Sequence, residues 1–527
     1  MAVSPALLSA VAYSFPPNEA VILPSKKVDA MVDVNDQSLQ EMTRPGAEVL
    51  DEGEQLTARP DDFRREHDLL GELDVPADVY YGIQTLRAMR NFKLSGVTLS
   101  HHPRFIVALG MVKLAAAEAN HQLGDLDDRR YEAIRYACEQ LIEGNYHDQF
   151  VVDMIQGGAG TSTNMNANEV IANIGLEYLG HAKGEYTHLH PNNHVNMAQS
   201  TNDAYPTAIR LGMLLGQQGL WESLEQLSDS FAAKGEEFAG VVKMGRTQLQ
   251  DAVPMTLGQE FHAFATTLRE DLGRMKRQVP ELFVEVNLGG TAIGTGINAS
   301  DGYQKLAVEA LARISQQPVV PAADLIEATW DMGAFVLFSG SLKRLAVKLS
   351  KICNDLRLLS SGPRTGINEI NLPPRQPGSS IMPGKVNPVI PEAVNQVAFE
   401  VVGNDTAITM AAEAGQLQLN VMEPLIAYKM FDSVRSLGRA MEMLRTSCID
   451  GITANVEHCH HLVENSVGLV TALNPYIGYE NSTRLAKRAL HENRSVLDLV
   501  KEEQLLDEAQ LSRIMSPENM VNPHAKS

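Results

Sequence analysis

The chain has few of the residues that mark secreted, membrane-spanning or nucleic-acid-binding proteins. Its 527 residues include only four cysteines, and 44 Lys and Arg against 65 Asp and Glu give a formal charge of −21. Nucleic acids and anionic membranes both bind basic patches, so this balance disfavours them as partners. No apolar stretch reaches the roughly 18 residues of a membrane-spanning helix, so we expect no transmembrane segment.

The four cysteines, Cys138, Cys353, Cys448 and Cys459, are widely separated and form no CxxC pair. We predict buried free thiols in a reducing compartment, and therefore a cytoplasmic location. Three histidines flank Cys459, but neighbouring residues on a helix point in different directions. We therefore expect no zinc there, and no metal site elsewhere.

Residues 1–62 differ in composition from the rest of the chain. They contain six prolines and an acidic, polar stretch, and their first lysine, Lys26, follows the apolar part. A secretory signal has its basic residues before the apolar part. We predict a disordered N-terminal extension without a chemical role.

Beyond this segment, apolar residues recur at helical spacing and alternation typical of strands is rare. The clearest case is a series with steps of three and four, typical of a helix packed lengthwise on its neighbours: Leu342, Leu345, Leu349, Ile352, Leu356 and Leu359. We predict an all-α fold, an elongated helical bundle with smaller helical domains at either end. The boundaries we expect are an N-terminal domain at 63–201, a central bundle at 202–457 and a C-terminal domain at 458–527.

The most informative segment is the loop at residues 378–388, Gly-Ser-Ser-Ile-Met-Pro-Gly-Lys-Val-Asn-Pro. Glycine permits a turn that exposes Ser379 and the serine after it, and we predict that Asn387 caps the helix that follows. A helix start offers unpaired N–H groups beside the ammonium of Lys385. Such a loop is suited to holding a carboxylate next to a reactive hydroxyl.

Three further segments combine hydroxyl and amide side chains near helix ends, at residues 157–166, 200–203 and 245–251. Helix capping accounts for one such residue at each place, but not for several in a row. If these neutral donors converge, they can bind a dianion without burying fixed positive charge. A fourth segment, the glycine-rich run at 289–296, lacks the Lys-Ser/Thr ending of a phosphate loop, so we expect a closely packed turn rather than a nucleotide site.

Together these motifs resemble the fumarase/aspartase superfamily, whose signature Gly-Ser-Ser-x-Met-Pro-x-Lys-x-Asn-Pro occurs here at 378–388. The resemblance extends from about Asp68 to His524. It implies a homotetramer with a twenty-helix core and active sites assembled from three subunits.

Within the superfamily the chain is similar to the aspartate ammonia-lyase (aspartase) family. Class II fumarases typically carry the motifs Gly-Ser-Gly-Thr-Gln-Ser, Ser-Ser-Asn-Asp and Arg-Thr-His. This chain departs from the first at Ala159, from the second at Thr201 and from the third at Gln248. The family implies a reversible, cofactor-free elimination of ammonia from L-aspartate to give fumarate. Some members respond to magnesium, and no ligand cluster in this sequence indicates such a response.

The resemblance also implies roles for individual residues. Ser379 matches the general base. The β-carboxylate becomes an aci-carboxylate when the neighbouring carbon loses its proton. The family's donors to this carboxylate match Thr161, Ser200, Thr201 and Ser380. The α-carboxylate is expected to bind Lys385 and Asn387, helped by Thr247. The amino group is expected to be oriented by Asn202 together with Gln248.

Two alternatives remain at this stage. One is a sister lyase, namely a fumarase or an enzyme acting on argininosuccinate or adenylosuccinate; Gln248 and the segment at 158–161 disfavour it. The other is a non-catalytic protein that retains the scaffold, which the intact Ser379, Lys385 and Asn387 disfavour.

Overall fold

A computed structural model describes residues 62–516 and Asn519. Apart from Asp62, the predicted N-terminal extension lies outside these residues. The described part contains seventeen α-helices, which are, in chain order, α1 (Ile83–Asn91), α2 (Pro103–Leu123), α3 (Asp128–Ile142), α4 (Thr161–Tyr178), α5 (Thr201–Gly216), α6 (Gln218–Glu237), α7 (Leu257–Phe283), α8 (Tyr303–Ser315), α9 (Leu325–Trp330), α10 (Gly333–Leu359), α11 (Val389–Glu413), α12 (Glu423–Ser447), α13 (Val456–Asn465), α14 (Leu469–Ile477), α15 (Tyr479–Glu492), α16 (Val496–Glu502) and α17 (Glu508–Ile514).

Strands are short and occur as four separate pairs. The antiparallel pairs are β1 (Phe63–Asp68) with β2 (Gly71–Pro76), β3 (Val242–Thr247) with β4 (Gln250–Thr256), and β7 (Ile370–Asn371) with β8 (Thr453–Ala454). The parallel pair is β5 (Glu285–Val286) with β6 (Val320–Pro321). The mostly helical prediction is therefore confirmed. The β3–β4 hairpin corrects it at residues 245–251, which we expected to lie near helix ends.

The long helices pack side by side around the main core. Helix α10 lies along α11, α11 along α12, and α6 along α7. The six residues of the predicted three-and-four series on α10 are all buried, so that prediction is confirmed. Helices α5 and α6 follow each other closely, and the chain breaks at Gln217 between them.

The main apolar core includes residues from Val75 to Cys459, and a separate cluster extends from Leu473 to Ile514 in helices α14–α17. The domain boundaries proposed from sequence stay predictions. All four cysteines are buried and free, as expected, and burial raises the pKa of Cys448 and of Cys459 to about 12. Among the described helices, none is long and apolar enough to cross a membrane.

Candidate active site

The first group of predicted site residues lies where helix α4 begins. Gly158, Ala159 and Gly160 all have positive φ, which turns the chain sharply into the helix. A side chain at Gly160 is excluded, because its Cβ would lie 2.6 Å from the ring of Tyr205. The helix begins at Thr161, within the hydroxyl- and amide-rich segment at 157–166. Thr161 is exposed, and its hydroxyl donates to the carbonyl of Gly158 at 2.7 Å.

The second group forms the start of helix α5. Ser200 is the N-cap, and its Oγ accepts from the backbone N–H of Asn202 at 3.2 Å. Asp203 completes a capping box by accepting from the N–H of Ser200 at 2.8 Å. The Asn202 amide donates to the carbonyl of Ala292 at 2.8 Å, which ties the helix start to the glycine-rich turn.

Asp203 is the buried anion of this region. Its second carboxylate oxygen accepts from the backbone N–H groups of Gly289 and Thr291, both at 3.0 Å. Burial raises the pKa of Asp203 to about 6, against the lowering effect of its three backbone donors. The glycine-rich turn is therefore a packed element that holds the start of α5, as the sequence predicted.

The starts of α4 and α5 are joined by a hydrogen bond between side chains. Asn164 Nδ2 donates to Thr201 Oγ1 at 3.2 Å. Behind this pair lies Lys113 of α2, which is fully buried and which the motif analysis missed. Its Nζ donates to three amide oxygens, those of Asn164 (2.6 Å), Gln199 (2.9 Å) and Asn196 (3.0 Å).

A signal for Lys113 exists in the sequence. It is the only charged residue in the run from Phe105 to Ala117, which is otherwise uncharged. A charge inside such a helix must be paired or hydrogen-bonded, because burying it alone is too unfavourable. Burial lowers the pKa of Lys113, and the Asp203 carboxylate opposes that effect.

The third group, Thr247 and Gln248, lies at the tip of the β3–β4 hairpin. Thr247 pairs with Gln250 across the turn, and both intervening residues, Gln248 and Leu249, have positive φ. That pattern is the two-residue turn whose twist matches the strands. The side chains of Thr247 and Gln248 are exposed.

The base of the hairpin is tied down by a buried acid. Glu369 is fully buried and lies 2.7 Å from Arg246 Nη1 and 2.8 Å from Lys243 Nζ, both on strand β3. Lys243 also contacts Glu260 at 2.5 Å. Sequence reasoning missed this cluster, since 123 residues separate Glu369 from Arg246.

The fourth group is the loop at 378–388. Ser379 Oγ accepts from the backbone N–H groups of Ile381 (3.2 Å) and Met382 (3.1 Å). The loop closes at its neck, where the Gly378 N–H donates to the Lys385 carbonyl at 2.7 Å. Ser380 and Lys385 are exposed, and Ser379 is half-buried.

The predicted capping role of Asn387 is wrong. Pro388 is the N-cap of α11, and no side chain caps that helix. Asn387 Nδ2 donates instead to the carbonyl of Gly378 at 2.9 Å, which adds a second bond across the neck. The side chain thus stabilises the loop rather than the helix.

The structure brings some predicted site residues together and leaves others apart. Thr161, Ser200, Thr201 and Asn202 lie at the joined starts of α4 and α5. Among the hydrogen bonds and ion pairs of the described residues, none links this group to the hairpin tip or to the 378–388 loop. Within one chain, hydrogen bonds join only the starts of α4 and α5.

One surface cluster in the described residues has the composition of a metal site. Ligand atoms of His181, Glu185 and His188 lie within 4.8 Å of one another. The two imidazole rings stack at 3.7 Å, and Arg129 Nη2 lies 3.4 Å from His181 Nε2. His181 is half-buried and Glu185 and His188 are exposed, so the cluster lies at the surface.

The helical fold and the motif of the 378–388 loop are those of a lyase. A family model described as "Lyase" matches residues 71–403, and one described as "Fumarase C C-terminus" matches residues 469–522. The chain is 78% identical over 460 residues to an aspartate ammonia-lyase of Pseudomonas aeruginosa, covering 87% of this chain and 97% of that protein. The chain therefore belongs to the aspartate ammonia-lyase family of these lyases.

Solved structures agree with this family. A cobalt-bound crystal structure of a fumarate lyase:delta crystallin from Brucella melitensis is 58% identical, with a TM-score of 0.84, covering 87% of this chain and 99% of that one. A class II fumarase from Schistosoma mansoni is 35% identical, with a TM-score of 0.82, covering 88% of this chain and 100% of that one.

Proposed function

We propose that this chain is an aspartate ammonia-lyase that converts L-aspartate reversibly to fumarate and ammonia, with Ser379 as the base. Besides the family, one observation carries the proposal for the base. Two backbone N–H groups, those of Ile381 and Met382, point at Ser379 Oγ. Donors placed this way stabilise an alkoxide, the form in which a serine hydroxyl acts as a base.

The reaction begins at the carbon next to the β-carboxylate. Ser379 Oγ takes the proton of that carbon, and the electron pair enters the carboxylate, which becomes a doubly charged aci-carboxylate. Donors already aimed at those oxygens lower the barrier because they need no reorganisation during the reaction. The donors in our proposal are neutral hydroxyls: Ser200, Thr201, Ser380 and Thr161, of which Thr161 must first turn its hydrogen away from the Gly158 carbonyl. The electron pair then returns from the aci-carboxylate to form the carbon–carbon double bond of fumarate, and the carbon–nitrogen bond breaks. An ammonium group leaves as neutral ammonia without a protein acid, an uncharged amine with a proton from water, and Ser379 releases its proton to solvent.

The other end of the substrate is held by the remaining site residues. Lys385 and Asn387 bind the α-carboxylate with help from Thr247, while Asn202 and Gln248 orient the amino group. An amide NH2 has two hydrogens, and in Asn387 and Asn202 one of them donates to a backbone carbonyl. Asn387 therefore retains one N–H for the carboxylate, and the amide oxygen of Asn202 can accept from the amino group. Gln248 cannot relay protons as a histidine can.

Completing the site requires further copies of the chain, and we propose a homotetramer with active sites shared by three subunits. Among the described residues no hydrogen bond or ion pair links the three donor sets, which fits an active site that other copies complete. Helices α10 and α11 expose large apolar side chains, at 55% for Leu337, 54% for Val347, 64% for Phe399 and 62% for Met410. Exposed apolar faces on long helices mark interfaces, here the proposed twenty-helix core. Four free thiols fit a cytoplasmic location.

The test is a substrate panel with the purified full-length protein. We expect fumarate, followed by its ultraviolet absorbance, to appear from L-aspartate and not from L-malate, argininosuccinate or adenylosuccinate. Fumarate from malate alone would identify a fumarase instead. No turnover of any of the four would leave the non-catalytic scaffold as the explanation.

A further inference from the structure

Lys113 occupies a place where an apolar side chain would be easier to bury. Its neighbours Val112 and Leu114 belong to the core, and an ammonium group among them has lost its hydration. The three amide oxygens described above accept its three hydrogens, and an ammonium group has no acceptor. Each amide must therefore turn its oxygen toward Lys113 and its NH2 group away.

For Asn164 this orientation has a consequence at the proposed site. With Oδ1 held by Lys113 at 2.6 Å, Nδ2 faces Thr201 Oγ1 at 3.2 Å. An NH2 group can only donate, so the Thr201 oxygen accepts. The hydroxyl hydrogen of Thr201 must then point away from Asn164, where it remains available to another acceptor.

We infer that Lys113 is a positioning residue for the elimination, which acts through Asn164 to fix the Thr201 hydroxyl as a donor to the substrate carboxylate. A hydroxyl that is free to rotate presents either its hydrogen or its lone pairs. One whose lone pair is already engaged presents its hydrogen, which is the preorganisation that stabilises developing negative charge. This inference rests on the proposed function, since it needs a carboxylate to receive the hydrogen.

Lys113 also supports the backbone that leads into α5. Gln199 Nε2 donates to the carbonyls of Val195 (3.0 Å) and Met197 (3.2 Å), and Asn196 Nδ2 donates to the carbonyl of Gln199 at 3.2 Å. Replacing the lysine would disturb these bonds as well. Asn164 is therefore the better residue at which to test the effect on Thr201.

The decisive variant is Asn164→Asp, which is nearly isosteric. The carboxylate still accepts from Lys113, but its second oxygen faces Thr201 and now takes the hydroxyl hydrogen. Lys113 gains a charged partner, whereas the bond from Asn164 Nδ2 to Asn196 Oδ1 at 3.1 Å is lost. We expect kcat for aspartate to fall about 100-fold, the effect of losing one such donor, with KM changed far less.

Two comparisons make the result specific. Thr201→Val should reduce kcat by a similar factor, and the double variant Asn164→Asp/Thr201→Val should be no slower than Thr201→Val alone. Asn196→Asp is the matched control. It also places a carboxylate against Lys113 and keeps an acceptor for Asn164 Nδ2, but it loses its bond to the Gln199 carbonyl and has no hydrogen bond to Thr201. Its loss in kcat should be at least tenfold smaller than that of Asn164→Asp.

The inference is overturned if Asn164→Asp retains kcat within threefold of the wild type. It is also overturned if the loss in kcat of the double variant equals the product of the two single-variant losses. Should Asn164→Asp fail to fold, Asn164→Ala, which removes the donor to Thr201 Oγ1, takes its place in the same cycle. Its loss in kcat should shrink at least tenfold in the Thr201→Val background, and an undiminished loss would overturn the inference. Fumarate production by the wild type is measured separately, so failure of the proposed function is distinguished from failure of this inference.

Discussion

Replacing Gly378 by alanine tests whether the neck of the 378–388 loop sets the position of Ser379. The new Cβ would lie 2.5 Å from the Lys385 carbonyl oxygen and 2.9 Å from its carbon. Ordinary contact begins at 3.4 Å, so the two strands of the neck must separate by about 0.9 Å (3.4 − 2.5). Displacements near 1 Å can slow a reaction about 100-fold. We therefore expect kcat to fall by about that factor.

The assay is fumarate formation from L-aspartate, with the thermal midpoint measured alongside. Because the loop is largely exposed, the midpoint of Gly378→Ala should stay close to that of the wild type. Gly219→Ala is the matched control, since Gly219 is exposed on α6 and a Cβ there meets nothing within 4 Å. The reasoning is refuted if Gly378→Ala turns over within threefold of the wild type.

Two further predictions concern stability. Glu369→Gln should lower the free energy of unfolding by about 3 kcal/mol, because Lys243 and Arg246 lose a buried partner, and it should raise KM because the hairpin is loosened. The control, Glu72→Gln at an exposed position, should change the free energy of unfolding by less than about 1 kcal/mol. Equal losses in the two variants would contradict the account. Burial lowers the pKa of His102 to about 3, so the unfolded state binds more protons below pH 6.5 and the stability contributed by neutral His102 is lost as pH falls. The test measures the free energy of unfolding by denaturant at pH 7 and at pH 5, at one protein concentration. At about 1.4 kcal/mol per pH unit, the loss between these pH values should be about 2 kcal/mol smaller in His102→Phe than in the wild type. An identical loss in the two proteins would refute this assignment.

Features governed by local periodicity could be predicted from the sequence. The spacing of Leu342, Leu349 and Leu356 indicated the buried face of α10, because side chains three and four apart lie on one side of a helix. The same holds for the capped start of α5, where Ser200 and Asp203 form a capping box from neighbouring positions.

Features that depend on distant pairings could not be predicted in the same way. Asn387 looked like a cap by its position before Pro388, yet its amide bonds Gly378 across the loop. The hairpin carrying Thr247 is held by Glu369, far along the chain. Local sequence contains no information on which distant carboxylate a strand will meet.

The site itself was predicted through motif resemblance rather than through spacing. Spacing alone could not show whether the hydroxyl-rich segments converge, and a single chain joins only the starts of α4 and α5. Lys113 lay outside every motif, because its importance comes from the three amides around it and not from its neighbours in sequence.

The most direct measurement of the account compares Ser379→Ala with Ser380→Ala, the same substitution at adjacent positions. Turnover of L-aspartate should fall at least about 10³-fold for Ser379→Ala, which removes the base, and about 100-fold for Ser380→Ala, which removes one donor. Both variants should assemble as the wild type does. If Ser379→Ala retained turnover within tenfold of the wild type, Ser379 would not be the base and the proposed mechanism would be wrong.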